Sequence, residues 1–435
     1  MHPWNVLVVP GGTEIGLEIC SALKGCKEVN LTSAGQAISS HAPYVFAQHY
    51  ILPSVREPSW LQDLNRLVVE LATDFIIPAH DDVVVALAGA ADRIPAKVVT
   101  SPLETCLIAR SKRRTYAVLR DLVPCPQVYL PENVPGFPIF CKPDSGQGSH
   151  GARLIRNATE LTLVDSGEIL LEYLPGDEFT VDCFSDRRRG LLFTGGRKRI
   201  RVRNGISVAT ASAERAEFEK YAQAISSALE FHGAWFFQVK EGAEGALKLL
   251  EVAPRIAGAM AFHRVQGVNF PLLSLYESAG VSIDLLLNEG LAIEMDRALI
   301  NRYRHNLKFD TVYVDLDDTL LVRGSVNLTL VTFLYQCVNA GVKIILLTKH
   351  CGDLAACLSD HRLSGLFDEV IHIGAGQEKA DFIQPAGAIL IDDSFSERRA
   401  VRRDTGLRVF DLSMLEMLID HTAPVSKSAR RKPIA

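Results

Sequence analysis

"IFCKPDSGQGSHGARLI", residues 139–155, places an apolar run, a lysine at its end, a polar loop with three glycines and a second apolar run within seventeen positions. The alternation at either end reads as two strands, and the loop between them is too glycine-rich to hold one rigid conformation. Such a loop can fold its backbone N–H groups over phosphates, with Lys142 as a point charge beside them. Glycine content alone leaves a plain hairpin turn open, because a turn favours the same residues. Neighbouring segments decide between the two.

Thirty residues upstream, Lys112 opens the helical stretch "KRRTYAVLRDL"; downstream, "LLEYLPGDEFTVD" carries Glu172, Leu174 and Glu178 around a Pro-Gly turn. "FQVKEGAEGALKLLEVAPR" adds Gln238, Glu251 and Arg255 on two adjacent strands. Between these runs, Phe218, Tyr221, Ile225 and Leu229 recur at helical spacing and form a core stripe. Near the start, "NVLVVPGGTEIG" is a strand, a glycine turn and a helix, and "FIIP" (75–78) and "KVVT" (97–100) supply further strands of a doubly wound α/β unit. Its turn is G-G-x-x-x-G rather than G-x-G-x-x-G, which favours close helix–strand packing over a dinucleotide site.

This series, in this order, resembles the ATP-grasp superfamily, particularly the carbamoyl-phosphate-synthase-like carboxylate–amine ligases, over residues 1 to about 290. The resemblance implies a pre-ATP-grasp α/β domain over 1–105 and an ATP-grasp domain over 106–290, binding ATP and Mg²⁺, with Mn²⁺ as an alternative ion. It assigns ATP contacts to Lys112, Lys142, the loop residues Ser145, Gly146, Gly148 and Ser149, and the hinge residues Glu172 and Leu174, with Glu178 on the ribose. Gln238 and Glu251 would hold the metal, and Arg255 would stabilise the transferring phosphoryl group. One position departs from the pattern: the family reads E-x-N-P-R where this chain has "EVAPR", and the methyl of Ala253 cannot coordinate a hard cation. A nucleotide-sensing or kinase-type module is therefore the alternative to a ligase. "GRKRIRVRNG" (196–205) puts Arg197, Arg199, Arg201 and Arg203 on one face of an ideal strand, suited to an anion-holding cleft or to a solvated edge.

A second constellation begins late in the chain. After a connector over 291–309, "VYVDLDDTLL" (312–321) sets Asp315, Asp317 and Asp318 directly behind an apolar strand. Packed carboxylates repel one another and lose hydration, so the cluster needs a cation or donors. "IILLT" ending at Thr348, Lys379 in "GQEKADFI" and Asp392–Asp393 in "AILIDDSFSER" follow in order. These motifs resemble the haloacid dehalogenase (HAD) superfamily over residues 310–422, implying a HAD-like Rossmannoid α/β domain. By that resemblance Asp315 is the nucleophile, Asp317 the acid–base, Thr348 and Lys379 the phosphoryl partners, and Asp315, Asp317, Asp392 and Asp393 the metal site. Fewer than thirty residues separate "VYVDLDD" from the Thr348 strand, too few for a large helical cap.

The implied whole is an α/β and α+β multidomain enzyme, a carboxylate–amine ligase joined to a phosphatase that acts on a phosphorylated metabolite. Composition agrees with small-molecule chemistry: 48% hydrophobic and 22% charged residues are ordinary for a globular protein, and a net charge of −5 argues against nucleic acid. Nine cysteines without a C-x-x-C pair suggest a reducing, cytoplasmic setting. No apolar run reaches the roughly 20 residues of a membrane helix, and the basic end, 423–435, reads as a flexible tail. A homodimer is compatible with this reading.

Overall fold

Five short strands near the start, Trp4–Val9 (β1), Val29–Gly35 (β2), His49–Ile51 (β3), Phe75–Pro78 (β4) and Lys97–Val98 (β5), pair in parallel in the order β3-β2-β1-β4-β5. The computed structural model describes residues 2–146, 148, 150–288, 291, 293–303 and 305–422. Parallel strands need helical crossovers that cover both faces, so Leu7, Val8 and Ile76 are fully buried. β2 and β3 carry too many polar residues, Ser33 and His49 among them, to announce themselves by periodicity; those two are hydrogen-bonded to each other at 2.8 Å. The glycine turn after β1 serves packing: a Cβ on Gly16 would meet the Gly11 carbonyl oxygen at 2.5 Å.

A four-stranded antiparallel sheet follows, from Val128–Tyr129 (β6), Ile139–Pro143 (β7), Arg153–Ile155 (β8) and Glu168–Glu172 (β9), ordered β6-β9-β7-β8. The larger antiparallel sheet has Glu178–Asp186 (β10), Gly190–Arg203 (β11), Ile206–Ser212 (β12), Gly233–Glu241 (β13), Leu247–Ala253 (β14) and Glu294–Asp296 (β15), ordered β14-β13-β10-β11-β12-β15. Helix Ala216–Ala228 lays Phe218, Tyr221 and Ile225 into the core, as their spacing predicts. β15 corrects one expectation. It lies inside the segment read as a connector, yet pairs Asp296 with Ala209 and Glu294 with Ala211. An edge strand of three residues is held by backbone bonds and leaves almost no side-chain period to read.

The arginine run is corrected too. Irregular pairing around Arg199–Val202 breaks the alternation, so Arg197 and Arg199 point inward while Arg201 and Arg203 are exposed. Arg197, 2% exposed, grips the fully buried Asp182 through Nε at 2.7 Å and Nη2 at 3.3 Å.

The chain divides into two units, residues up to Leu299 and residues Ile300–His421. In the second, Thr311–Val314 (β16), the hairpin pair Leu321–Val322 (β17) and Ser325–Val326 (β18), Lys343–Thr348 (β19), Glu369–His372 (β20), Ala388–Ile391 (β21) and Arg408–Phe410 (β22) follow one another. Five of these form a parallel sheet ordered β20-β19-β16-β21-β22. Its order reverses at β16, so the crevice for a ligand lies beyond the carboxyl ends of the central strands. Between β16 and β19 there is only the β17–β18 hairpin, turned through Arg323 and Gly324 at φ 51° and 73°, and helix Leu328–Ala340. Among the described residues no helix is long and apolar enough to cross a membrane. The tail read as flexible lies outside the described residues, and the nine cysteines are free.

Removing one partner of a buried ion pair strands the other. Asp182→Ala is expected to cost about 3–5 kcal/mol of stability, measured as a shift of the denaturant midpoint for unit 1.

Candidate functional site

In unit 1 the site is built on the loop after β7. Asp144 opens that loop and ties it to the start of helix Lys112–Leu119: the Ser111 hydroxyl donates to its Oδ2 at 2.7 Å and the Arg113 N–H to its Oδ1 at 2.8 Å. Lys112 Nζ then lies under the loop, donating to the Asp144 and Gly146 carbonyls at 3.2 Å each. Gly148, at φ +61°, presses its backbone on Gly205, where an added Cβ would come within 2.3 Å of the Gly148 carbonyl carbon. Lys142 Nζ donates to the Leu250 carbonyl at 3.2 Å. Burial, and next the charge of Lys112, push the Lys142 amine down to about 8.

Two joined cavities open here. One, of about 160 Å³, has apolar walls from Phe140, Leu171, Leu174 and Leu250, with Glu172 and Glu178 at its polar edge. The other, of about 400 Å³, is lined by Arg197, Arg199, Arg255 and the glycine turn after β1. Lys112, Gly146, Gly148, Gln238 and Glu251 belong to both. A flat apolar ring would fit the first cavity and a chain of phosphates the junction. The larger cavity also reaches Thr13 after β1 and His80 after β4, the switch point of the parallel sheet.

The expected residues are not equally free. Glu172 is clamped by Lys248 at 2.6 Å and accepts from the Gln127 N–H at 3.1 Å, which fixes the end of β9. Glu178 meets Arg199 Nε at 2.9 Å and Lys240 at 3.6 Å. Gln238 and Glu251 are register partners on β13 and β14 and so present an amide and a carboxylate together, while Ala253, on the same strand as Glu251, adds only a methyl. Arg255 is bidentate to Asp81, Nε–Oδ1 2.5 Å and Nη2–Oδ2 3.1 Å, and stacks over Phe236. Ser145 is exposed and lines neither cavity; Ser149 lies outside the described residues. Asp81 and Asp144 were missed by sequence reasoning, although "HDD" directly behind "FIIP" and the aspartate inside the quoted loop were available signals.

In unit 2 the strand ends converge. Asp315 follows β16, Asp392 and Asp393 follow β21, and one oxygen of each lies within 4.8 Å of the others. Lys379, 3% exposed, bridges Asp315 at 2.7 Å and Asp392 at 2.6 Å. The Ser394 N–H donates to Asp392 Oδ1 at 2.8 Å. Thr319 Oγ1 is 2.9 Å from Asp393 Oδ1 and 3.3 Å from Asp315 Oδ2. Burial pushes the Asp315 carboxyl up to about 6; Lys379 pulls against this and Asp392 adds to it. Thr348 is fully buried at the end of β19 and accepts from the His350 N–H at 3.1 Å. Asp317, expected among the metal residues, stands outside the three-carboxylate group: it is exposed, and both its oxygens face His350 Nδ1 at 2.9 and 3.0 Å. Asp318 turns the chain at φ 56°. Thr319 and His350 were not singled out in the sequence.

Residues 166–302 match the family described as "ATP-grasp in the biosynthetic pathway with Ter operon", a match that ends before the aspartates of unit 2. Solved structures with the same fold include the biotin carboxylase domain of Hydrogenobacter thermophilus 2-oxoglutarate carboxylase, in complex with MgADP, ADP and bicarbonate, at 17% identity and TM-score 0.55 over 65% of this chain and 71% of that one. N5-carboxyaminoimidazole synthetase from Staphylococcus aureus, complexed with ADP, is similar at 15% identity and TM-score 0.55, over 65% of this chain and 80% of that one. The chain thus carries an ATP-grasp fold. No curated protein matches it in sequence.

Because Lys142 loses its charge near pH 8, triphosphate affinity is expected to fall as pH rises above that value, by up to roughly tenfold per pH unit. Calorimetric titration of ATP between pH 7 and 9.5 measures this, and Lys142→Arg is expected to flatten the profile.

Proposed function

We propose that unit 1 is an ATP-dependent carboxylate–amine ligase that activates an acid as its acyl phosphate and passes the acyl group to an amine, giving an amide, ADP and phosphate. The observation that carries this reading is the junction of the two cavities, where Lys112, Gln238 and Glu251 meet both the apolar slot and the cationic chamber. Adenine would lie among Phe140, Leu171, Leu174 and Leu250, with its sugar toward Glu178. Lys112 and Lys142 would hold phosphate oxygens, and Arg255, kept in place by Asp81, would face the transferring group. Glu251 and Gln238 are oxygen donors suited to Mg²⁺, which would screen the charge of the phosphates. Ala253 supports a second reading, a nucleotide-sensing or kinase-type module, because it leaves the ion one oxygen fewer. Expected for the ligase is ADP release that requires both an acid and an amine, an acid hydroxamate when hydroxylamine replaces the amine, and loss of both in Lys142→Ala. ADP release with acid alone favours the kinase, and none with any acid favours the sensor.

For unit 2 we propose a HAD-type phosphohydrolase acting on a small phosphorylated metabolite. Three carboxylates within 4.8 Å, with one lysine between two of them, form a donor set that fits a hard divalent cation and a phosphoryl group. Asp315, Asp392 and Asp393 would hold Mg²⁺, which would supply charge neutralisation for the incoming phosphate. A carboxylate oxygen of Asp315 would attack phosphorus, Thr348 and Lys379 would hold the phosphoryl oxygens, and Asp317 would give its proton to the leaving oxygen. Cytoplasmic, small-molecule chemistry accords with both halves. Asp315 at about 6 must be ionised to meet the ion, so Mg²⁺ affinity is expected to rise between pH 5 and 7 by roughly tenfold, with proton release, and Asp315→Asn is expected to abolish that dependence in a calorimetric titration.

A further inference from the structure

His350 follows Thr348 by two residues, and it is held from three sides. Its backbone N–H donates to Thr348 Oγ1 at 3.1 Å, its carbonyl accepts from His372 Nε2 at 2.8 Å, and its ring Nδ1 stands 2.9 and 3.0 Å from the two oxygens of Asp317. The neighbouring Lys349 is pinned to Glu397 at 2.6 Å, so the segment is tied to the helix after β21 as well. Among the described residues the side chain of Asp317 bonds to His350 alone. Its side chain is 51% exposed, whereas that of His350 is 16% exposed. An exposed aspartate that must reach one oxygen of a substrate otherwise samples several rotamers, and misplacement by an ångström is costly in rate.

We infer that His350 is a positioning residue that fixes the carboxyl of Asp317 toward the leaving oxygen of a phosphate ester. This rests on the phosphohydrolase reading of unit 2. In the step at issue, an Asp315 oxygen bonds to phosphorus as the ester P–O bond breaks. The bonding pair leaves with the ester oxygen, which takes the proton from Asp317. Contact with both oxygens restrains rotation about the Cβ–Cγ bond, because any turn lengthens one of the two distances. Neither contact is needed to bind the phosphoryl group, which Thr348 and Lys379 would hold, with Asp315, Asp392 and Asp393 available to a divalent cation.

The consequence is a dependence on leaving group. p-Nitrophenolate departs without a proton, whereas phenolate is a poorer leaving group and gains from the acid. Positioned general-acid catalysis is worth roughly 10²–10⁴-fold. The full chain with Mg²⁺ is assayed on p-nitrophenyl phosphate and phenyl phosphate, for the wild type, His350→Ala and His350→Asn. In His350→Ala, kcat is expected to fall at least about 30-fold on phenyl phosphate and no more than about threefold on p-nitrophenyl phosphate, with KM little changed. Asn keeps an N–H donor near the Nδ1 position and is expected to restore most of the loss. An equal fall on both substrates, no fall on either, or no rescue by Asn overturns the positioning role. So does a wild type that hydrolyses only p-nitrophenyl phosphate, since it has no working acid. A wild type inert toward both removes the phosphohydrolase reading itself.

Discussion

Two lysines in one pocket set the terms for unit 1. Among the described residues Lys112 and Lys142 donate to carbonyls alone, those of Asp144, Gly146 and Leu250, and no carboxylate is bonded to either ammonium. Burial and mutual repulsion make the second charge expensive to keep, which is why Lys142 is pushed down to about 8. An anion at the junction would relieve both. The nearby groups serve that arrangement: Asp144 spends its carboxylate on the helix start rather than on a lysine, Glu172 is taken by Lys248, and Asp81 by Arg255.

Unit 2 solves the converse problem. Its surplus is negative, and one buried lysine bridges two aspartates while the third carboxylate leans on a threonine. Burial, with repulsion from Asp392 added to it, holds the Asp315 carboxyl up at about 6 against the pull of Lys379. Unit 2 places its charges beyond the carboxyl ends of parallel strands, at the point where the order of strands reverses, whereas in unit 1 Lys142, Gln238 and Glu251 stand on antiparallel strands and the larger cavity reaches the parallel sheet at Thr13 and His80. At such a reversal neighbouring connections leave in opposite directions and a crevice opens between them.

Much of this was legible before any coordinates. β7 with its lysine, β16 with its aspartates, and the core stripe of Phe218, Tyr221 and Ile225 follow from periods of 2 and 3.6 that burial imposes on side chains. Less legible were β2, whose buried Ser33 and partly buried Thr32 hide the pattern, and β15, a three-residue edge strand paired through its backbone. The arginine face failed for a different reason. Alternation assumes an unbroken strand, and the irregular pairing at Arg199–Val202 sends Arg201 and Arg203 outward.

By itself the sequence determined which side chains carry charge at the ends of which strands, because that is local: an apolar run must be buried, and the first polar residue after it emerges at the edge of the sheet. It therefore named Lys142, Asp315 and Asp392, while Glu251 and Thr348 were singled out by the resemblances. Only the tertiary structure decided who answers them. Lys248 on Glu172, Asp81 on Arg255 and His350 on Asp317 join residues 76, 174 and 33 positions apart. Such pairings depend on how the elements pack, and electrostatic energy falls off with distance in space, a quantity that separation along the chain does not report.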